Sequence, residues 1–307
     1  MRTRDLLRLV GRLAAPARMS GRVRGALAAP SAATLRARAR WSRTPLVGDA
    51  PVVVSMTSYG RRLRTVHLAL ESIGGGRVRP RRLILWLEDH DVVADPPPTL
   101  ARLVARGLEI LPTTDWGPHK KYYPYVASTS SHRIPLVTAD DDVLYGWRWL
   151  AFLLERHWQH PQDVIAHRAH RVVLEEARIA PYAAWEDLDP GEAGPRTFAT
   201  GNAGVLYPPA MLNALREAGT AFTTCAPRAD DVWLHATALR ADVTVRPVSD
   251  GLTSYRAVPG AGLGGLRAAN VLGGGNDEQI AATYGPEEVA LLWEDQLAAR
   301  ATAGRVV

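Results

Sequence analysis

Four times between residues 51 and 158 an apolar, β-branched run gives way to a polar turn and then to a helical pattern. The runs are Pro51–Met56, Leu83–Leu87, Leu108–Leu111 and Ile134–Val137, and Val66, Leu70 and Ile73 mark one side of the first helix. Strands joined through helices must cross over, and such crossovers are right-handed, so the cadence predicts a mainly parallel sheet flanked by helices. Ligands of such sheets sit beyond the carboxyl ends of the strands, so the residues that follow each run are the first candidates for a site. Nowhere do eighteen apolar residues follow one another, and the chain is not expected to span a bilayer.

The fourth run ends in three successive acids, Asp140, Asp141 and Asp142, within IPLVTADDDVLYGWRWL (134–150). Adjacent carboxylates repel one another, and a cation relieves that repulsion. Positions one and three of an extended tripeptide can point the same way, so Asp140 and Asp142 can share a divalent ion while Asp141 faces elsewhere. An ion held by two carboxylates keeps positions for substrate phosphates, the usual Mg²⁺ or Mn²⁺ arrangement. The simpler reading is a charged turn that caps the next helix.

Other strand ends carry candidates too. After the first run, Thr57 and Tyr59 can bond or stack on a base or ribose, and Arg61 or Arg62 can reach a phosphate. A helix-capping Ser/Thr turn explains Thr57 or Ser58 equally well. The second run ends in Glu88, Asp89 and Asp91, and the third leads into Asp115-Trp-Gly-Pro-His-Lys120-Lys121. Further on, Gly201 and Gly204 allow close backbone approach, and Asn202 can bond a sugar hydroxyl. Asp230 and Asp231 open a helical stretch, where either can serve as a cap, and His235 follows Asp231 by one turn, placed to orient it or to meet a phosphate. His167 and His170, three apart in strand sequence, face opposite ways and do not form a shared metal site.

Six segments in order, VVVSMTSYGRR (52–62), RLILWLEDHD (82–91), LEILPTTDWGPHKK (108–121), VTADDDVLY (137–145), FATGNAGVLYPP (198–209) and APRADDVWLHA (226–236), resemble the GT-A glycosyltransferases, specifically small bacterial family-2-like nucleotide-sugar transferases. The resemblance spans roughly residues 50–285. It implies a Rossmann-like GT-A fold, an α/β domain built on a mainly parallel central sheet. By the same resemblance the Asp140–Asp142 motif, Asp141 included, grips the metal and the donor diphosphate. Glu88 or Asp89 meets the ribose or base, Asp115 the base, and Lys120 or Lys121 the diphosphate. Asp231, the second acid of the Asp230–Asp231 pair, then takes the acceptor proton. The activity implied is an inverting, metal-dependent transfer of a sugar from a nucleotide-diphosphate sugar to a glycan or lipid-linked hydroxyl, in surface polysaccharide or glycan synthesis.

Composition decides against nucleic acid as a partner. The formal charge is +6, but residues 1–48 hold eleven arginines against Asp5, while the rest has 26 basic and 30 acidic residues. A nucleic-acid-binding domain would carry its excess on the folded body. Leu6, Leu7, Val10 and Leu13 give residues 1–48 an apolar helical stripe, so this extension is expected either as solvated chain or as a basic amphipathic helix on an anionic membrane. The expected organisation is that extension, then one domain over 49–307, with a nucleotide half (49–160), an acceptor half (161–285) and a C-terminal helix (286–307). The single cysteine, Cys225, excludes an internal disulfide and fits a reducing cytoplasm, with peripheral attachment at the inner membrane face. The long loop 181–197 and the glycine-rich stretch 260–275 are expected as a binding loop and a mobile cover. Two rival classes share the acids and lysines: a metal-dependent nucleotidyl- or phosphotransferase, and a non-catalytic carbohydrate-binding protein.

Overall fold

The computed structural model describes residues 30–188, 192–248, 256–261 and 274–303. The amphipathic stripe at residues 6–13, and most of the glycine-rich stretch 260–275, lie outside the described residues.

Seven strands form the central sheet: β1 (Ala50–Thr57), β2 (Pro80–Leu87), β3 (Leu108–Pro112), β4 (Leu136–Thr138), β5 (Val164–Ala166), β6 (Val205–Tyr207) and β7 (Val245–Pro247). Their order across the sheet is β7-β5-β6-β4-β1-β2-β3. All neighbours are parallel except β6, which runs against both β4 and β5. β1 shows why both faces must be covered: Val52, Val54 and Met56 enter one apolar cluster, and Val53 enters the other. This two-residue alternation, apolar on both sides, is what a fully buried parallel strand requires.

Helices cover these faces. The longer ones are α1 (Ala32–Trp41), α2 (Val66–Gly74), α3 (Pro98–Val104), α4 (Trp149–Gln159), α5 (Pro209–Ala218), α6 (Asp230–Arg240), α7 (Gly275–Thr283) and α8 (Pro286–Ala303). Among the described residues no helix is long and apolar enough to cross a membrane. A third apolar cluster, with Phe198, Val232, Ile280 and Leu292, joins α6, α7 and α8 to a small three-stranded sheet that takes up part of the 181–197 loop.

Two expectations change. Residues 32–48 belong to the folded body and are not an extension. Leu35 and Leu46 are fully buried, Leu46 N–H donates to Arg106 O at 2.8 Å, and Arg106 donates to Thr44 O at 2.7 Å. Arg106 also pairs with the fully buried Glu71 of α2, which Arg38 of α1 reaches at 3.4 Å. The segment 198–209, whose alternating small and apolar residues read as a buried strand leaving a polar turn, is also not one strand. Thr197–Ala199 joins the small sheet, a 3₁₀ turn follows at Gly201–Ala203, and β6 begins at Val205. Gly204, at φ +99 and with Trp149 packed where a Cβ would stand, makes that change of direction possible.

The neighbours of β1 are β2 on one side and β4 on the other, so the strand order reverses between β1 and β4. A crevice opens at such a reversal, beyond the strand ends. Thr57 and the Asp140–Asp142 triplet lie at its two lips.

Candidate active site

The turn after β4 is fixed before any ligand arrives. Asp140 N–H donates to the buried Tyr145 hydroxyl at 2.7 Å, which curls the chain back toward the short strand Val143–Leu144. The three carboxylates then separate by exposure. The Asp141 side chain is 5% exposed, while Asp140 and Asp142 keep 27% and 34%. Asp141 accepts from Ser58 Oγ at 2.6 Å and from Arg62 Nη1 at 2.7 Å, and Arg62 Nη2 reaches Asp142 Oδ2 at 3.0 Å. Asp141 is therefore an inward anchor for Arg62 and presents no face to a nucleotide, which corrects its assignment to the cofactor. Burial raises the pKa of Asp141 against the pull of Ser58 and Arg62, and burial together with Asp140 raises that of Asp142.

Lys121 joins the two acid sets. It ends the 3₁₀ turn Gly117–Lys121 after β3, is buried, and lies 3.1 Å from Asp140 Oδ1 and 2.9 Å from Asp230 Oδ2. Burial alone would lower its pKa, but Asp140, Asp230 and Asp231 outweigh burial and hold it well above the lysine range. What aims this lysine is His119, whose ring bridges the Tyr122 hydroxyl (2.8 Å) and Ala226 O (2.7 Å) and stacks on Phe222 with centroids 4.0 Å apart. Since Ala226 leads into α6, the bridge ties the lysine turn to the Asp230–Asp231 pair. Burial pushes His119 down to about 4, so it acts as a neutral strut.

Asp231, in the first turn of α6, is held by the Gly201 N–H, 3.1 Å from each of its oxygens. It keeps some exposed surface yet lies deep among protein atoms. Burial, with Asp230 beside it, raises its pKa to about 7. Gly201 is required for a steric reason: a Cβ there would stand 2.9 Å from both Asp231 Oδ1 and Lys121 Nζ. Its close approach is thus to the acid and not to a sugar, a correction of its expected role. Next to it, Asn202 Oδ1 is buried without a hydrogen-bond partner among the described residues.

Further along the crevice, Lys120 is held between Glu88 and Asp115, the latter at 2.7 Å. Asp115 also accepts from Gly117 N–H at 2.9 Å, and Lys120 followed by Gly117 keeps its pKa below the usual aspartate value. Both lysines are therefore engaged with carboxylates in this state, and neither stands as a free phosphate ligand. The Thr57 hydroxyl donates to Trp86 O at 2.9 Å, which secures β1 to β2 and removes the hydroxyl proton from any role toward a ribose. Tyr59 is 44% exposed at the mouth, with the Arg62 guanidinium 5.6 Å from its ring centroid.

His235 does not meet Asp231 or a phosphate position. Its Nδ1 pairs with the Tyr284 hydroxyl at 2.7 Å and its Nε2 with Pro195 O at 2.8 Å, and burial lowers it to about 4. Helical spacing placed it on the right turn, but its ring faces the third apolar cluster. His167, paired with Trp149 O at 2.9 Å, is likewise structural. Two of the decisive contacts, those of Ser58, offered by the sequence only as a helix cap, and of His119, were not legible because their partners lie 83 and 107 residues away.

Seven carboxylates (Glu88, Asp115, Asp140, Asp141, Asp142, Asp230, Asp231) thus face three basic side chains (Arg62, Lys120, Lys121) in one crevice. So acidic a crevice disfavours a diphosphate unless a further cation enters. Among the described residues no three His, Cys, Asp or Glu side chains converge as an all-protein cage. Asp140 and Asp142, which pair with Lys121 and Arg62 through one oxygen each, are hard donors of the kind that bind Mg²⁺ or Mn²⁺ together with phosphate and water. The residues present therefore fit such an ion.

No family model matches the sequence, and no curated protein does. Solved structures are similar in backbone. S. aureus TarS (residues 1–349) aligns at 12% identity over 66% of this chain and 59% of that one, with a TM-score of 0.44, and its complex with UDP aligns at 0.42. The mannosyltransferase PcManGT from Pyrobaculum calidifontis, in complex with GDP-Man and Mn²⁺, aligns at 16% identity over 86% and 75%, with a TM-score of 0.47. The chain spans about three fifths of the TarS 1–349 structure. The architecture is a seven-stranded and mostly parallel sheet flanked by helices.

Proposed function

We propose that the chain is a metal-dependent, inverting glycosyltransferase that moves a sugar from a nucleotide-diphosphate sugar to a hydroxyl acceptor. The observation that carries this reading is Lys121, whose ammonium touches Asp140 of one acid set and Asp230 of the other, so that the two sets share one crevice at the strand-order reversal.

Asp140 and Asp142 would hold Mn²⁺ or Mg²⁺, which when bound supplies Lewis-acid stabilisation to the departing diphosphate. Asp231 accepts the proton of the attacking hydroxyl; its pKa of about 7 suits a general base near neutral pH. The Gly201 N–H fixes the orientation of that carboxylate. Lys121, buried between acids, pairs with both Asp230 and Asp140 and so ties the two acid sets together. Attack from the side of a single base, opposite the leaving group, inverts the anomeric centre. Tyr59 offers an exposed ring for a base or ribose, with Glu88, Asp115 and Lys120 beyond it. Asn202 Oδ1 accepts a sugar hydroxyl and so acquires the partner it lacks. The acceptor is a glycan or lipid-linked hydroxyl of a surface polysaccharide, and the protein acts in the cytoplasm, peripheral to the inner membrane face.

A thermal-shift panel of UDP-, GDP-, dTDP- and CMP-sugars with and without Mn²⁺ tests the proposal. One class should raise Tm only in the presence of the metal. A panel in which no nucleotide sugar shifts Tm would reject the function.

A further inference from the structure

At the other end of the strands from the crevice, where the chain enters β1 and β2, the body carries a face that the transfer chemistry does not use. α1 buries Leu35 and Ala39 against α2 and α3 and turns Arg36, Arg40 and Trp41 outward; Trp41 is 73% exposed, with the Arg40 guanidinium 4.9 Å from its ring centroid. Arg43 follows, also exposed. The turn between α2 and β2 joins this helix to a second tryptophan. Arg79 donates to Pro45 O at 2.9 Å, just past α1, and Arg38 packs against Gly75. From the same turn Arg77 N–H donates to Trp147 O at 2.7 Å, and its guanidinium lies 5.9 Å from the ring of Trp147, which is 45% exposed. One continuous surface therefore runs from α1 through residues 75–79 to Trp147. Its sequence is one-sided in charge: residues 30–48 hold four arginines and no acid, and residues 72–82 hold four more, again with none. The acids that flank these stretches are Asp49, just before β1, and Glu71, which is fully buried on α2, while Arg82 pairs with Glu109 of β3.

Exposed tryptophans beside arginines are costly toward water alone and suited to an interface, where the indole sits among acyl chains and headgroups while the guanidinium reaches lipid phosphate. Residues 1–29, which precede α1 in sequence, hold seven further arginines against Asp5. We propose that this basic, tryptophan-bearing face of the folded body docks on an anionic phospholipid bilayer. The inference deepens the peripheral location proposed above and is independent of the sugar chemistry. It leaves the crevice, at the carboxyl ends of the strands, open on the side away from the lipid.

The test is sedimentation of the full chain with phosphatidylcholine vesicles that contain or lack a third of phosphatidylglycerol. Binding should need the anionic lipid. Each arginine near such a surface contributes roughly a five-fold affinity gain, so Arg36→Gln with Arg40→Gln and Arg43→Gln should weaken binding on the order of 100-fold. Trp41→Ser with Trp147→Ser should also weaken it, and brominated lipid should quench wild-type fluorescence more than that of this double variant. All five side chains project outward, so an unchanged Tm is the control for folding. Vesicle binding as tight in both variants as in the wild type would overturn the proposal, as would indifference to phosphatidylglycerol. Displacement of the protein from anionic vesicles by duplex DNA at equal charge would show a nucleic-acid surface instead. Because no turnover is measured, the result stands apart from the fate of the transferase reading.

Discussion

Burial next to Asp230 drives the Asp231 carboxyl up to about 7, and the Lys121 ammonium and the Gly201 N–H only partly oppose it. As a base Asp231 must be unprotonated, so turnover should rise with pH through an apparent pKa near 7, and Asp231→Asn should abolish that limb while lowering the rate by about 10²- to 10⁴-fold. Nucleotide-sugar affinity should survive the substitution. Stability has the opposite sign. The folded state retains a proton that the unfolded chain gives up near the ordinary aspartate value, so this group's contribution is greatest in acid and is lost as pH rises toward 7. Asp231→Asn should therefore gain Tm relative to the wild type between pH 4 and pH 7, and a constant difference would show that Asp231 is not perturbed. Gly201→Ala pushes a methyl group against Asp231 and Lys121 at 2.9 Å; overpacking of this kind costs about 1–3 kcal/mol, and activity should fall far more than Tm. The need for a small residue at 201 was legible in the sequence, but what it makes room for was not, because Asp231 comes 30 residues later.

At the scale of elements, the strands of the first half could be read from their apolar runs, since strands of a covered parallel sheet carry near-continuous apolar stretches such as Val52–Val54 and Leu83–Leu87. α1 could not. Its eleven-arginine context suggested a solvated chain or a basic amphipathic helix on a membrane, yet two inward residues, Leu35 and Ala39 at i and i+4, with Leu46 beyond, seat it on the body. The partner that completes the seat is Glu71, fully buried on α2 between Arg106 and Arg38. Removing one side of a buried ion pair costs about 3–5 kcal/mol, so Glu71→Ala should lower the free energy of urea unfolding by that amount. Deletion of residues 1–48 should be worse than deletion of residues 1–29, because only the former strips the body of Leu35 and Leu46. Equal stability of the two truncations would mean that α1 is ornamental.

Across the whole molecule the crevice is short of positive charge. The repulsion within the Asp140–Asp142 triplet, taken in the sequence as a sign of a bound cation, is partly relieved by Arg62 and Lys121 from distant strands. The triplet itself was legible, but these counter-ions were not, since they meet it only once the sheet brings the turns after β1 and β3 to the end of β4. What remains acidic is the crevice as a whole, and under the proposed function a diphosphate would enter it together with a metal ion. Asp142→Ala should accordingly remove the Mn²⁺ dependence of nucleotide binding in calorimetry. The most direct test of the central claim, that both acid sets work on one donor, is nucleoside diphosphate release from the nucleotide sugar selected by the thermal-shift panel, measured with Mn²⁺ for wild type, Asp142→Ala and Asp231→Asn. The account predicts release by the wild type and its loss in both variants, with donor binding kept only by Asp231→Asn. Undiminished release by either variant would contradict it.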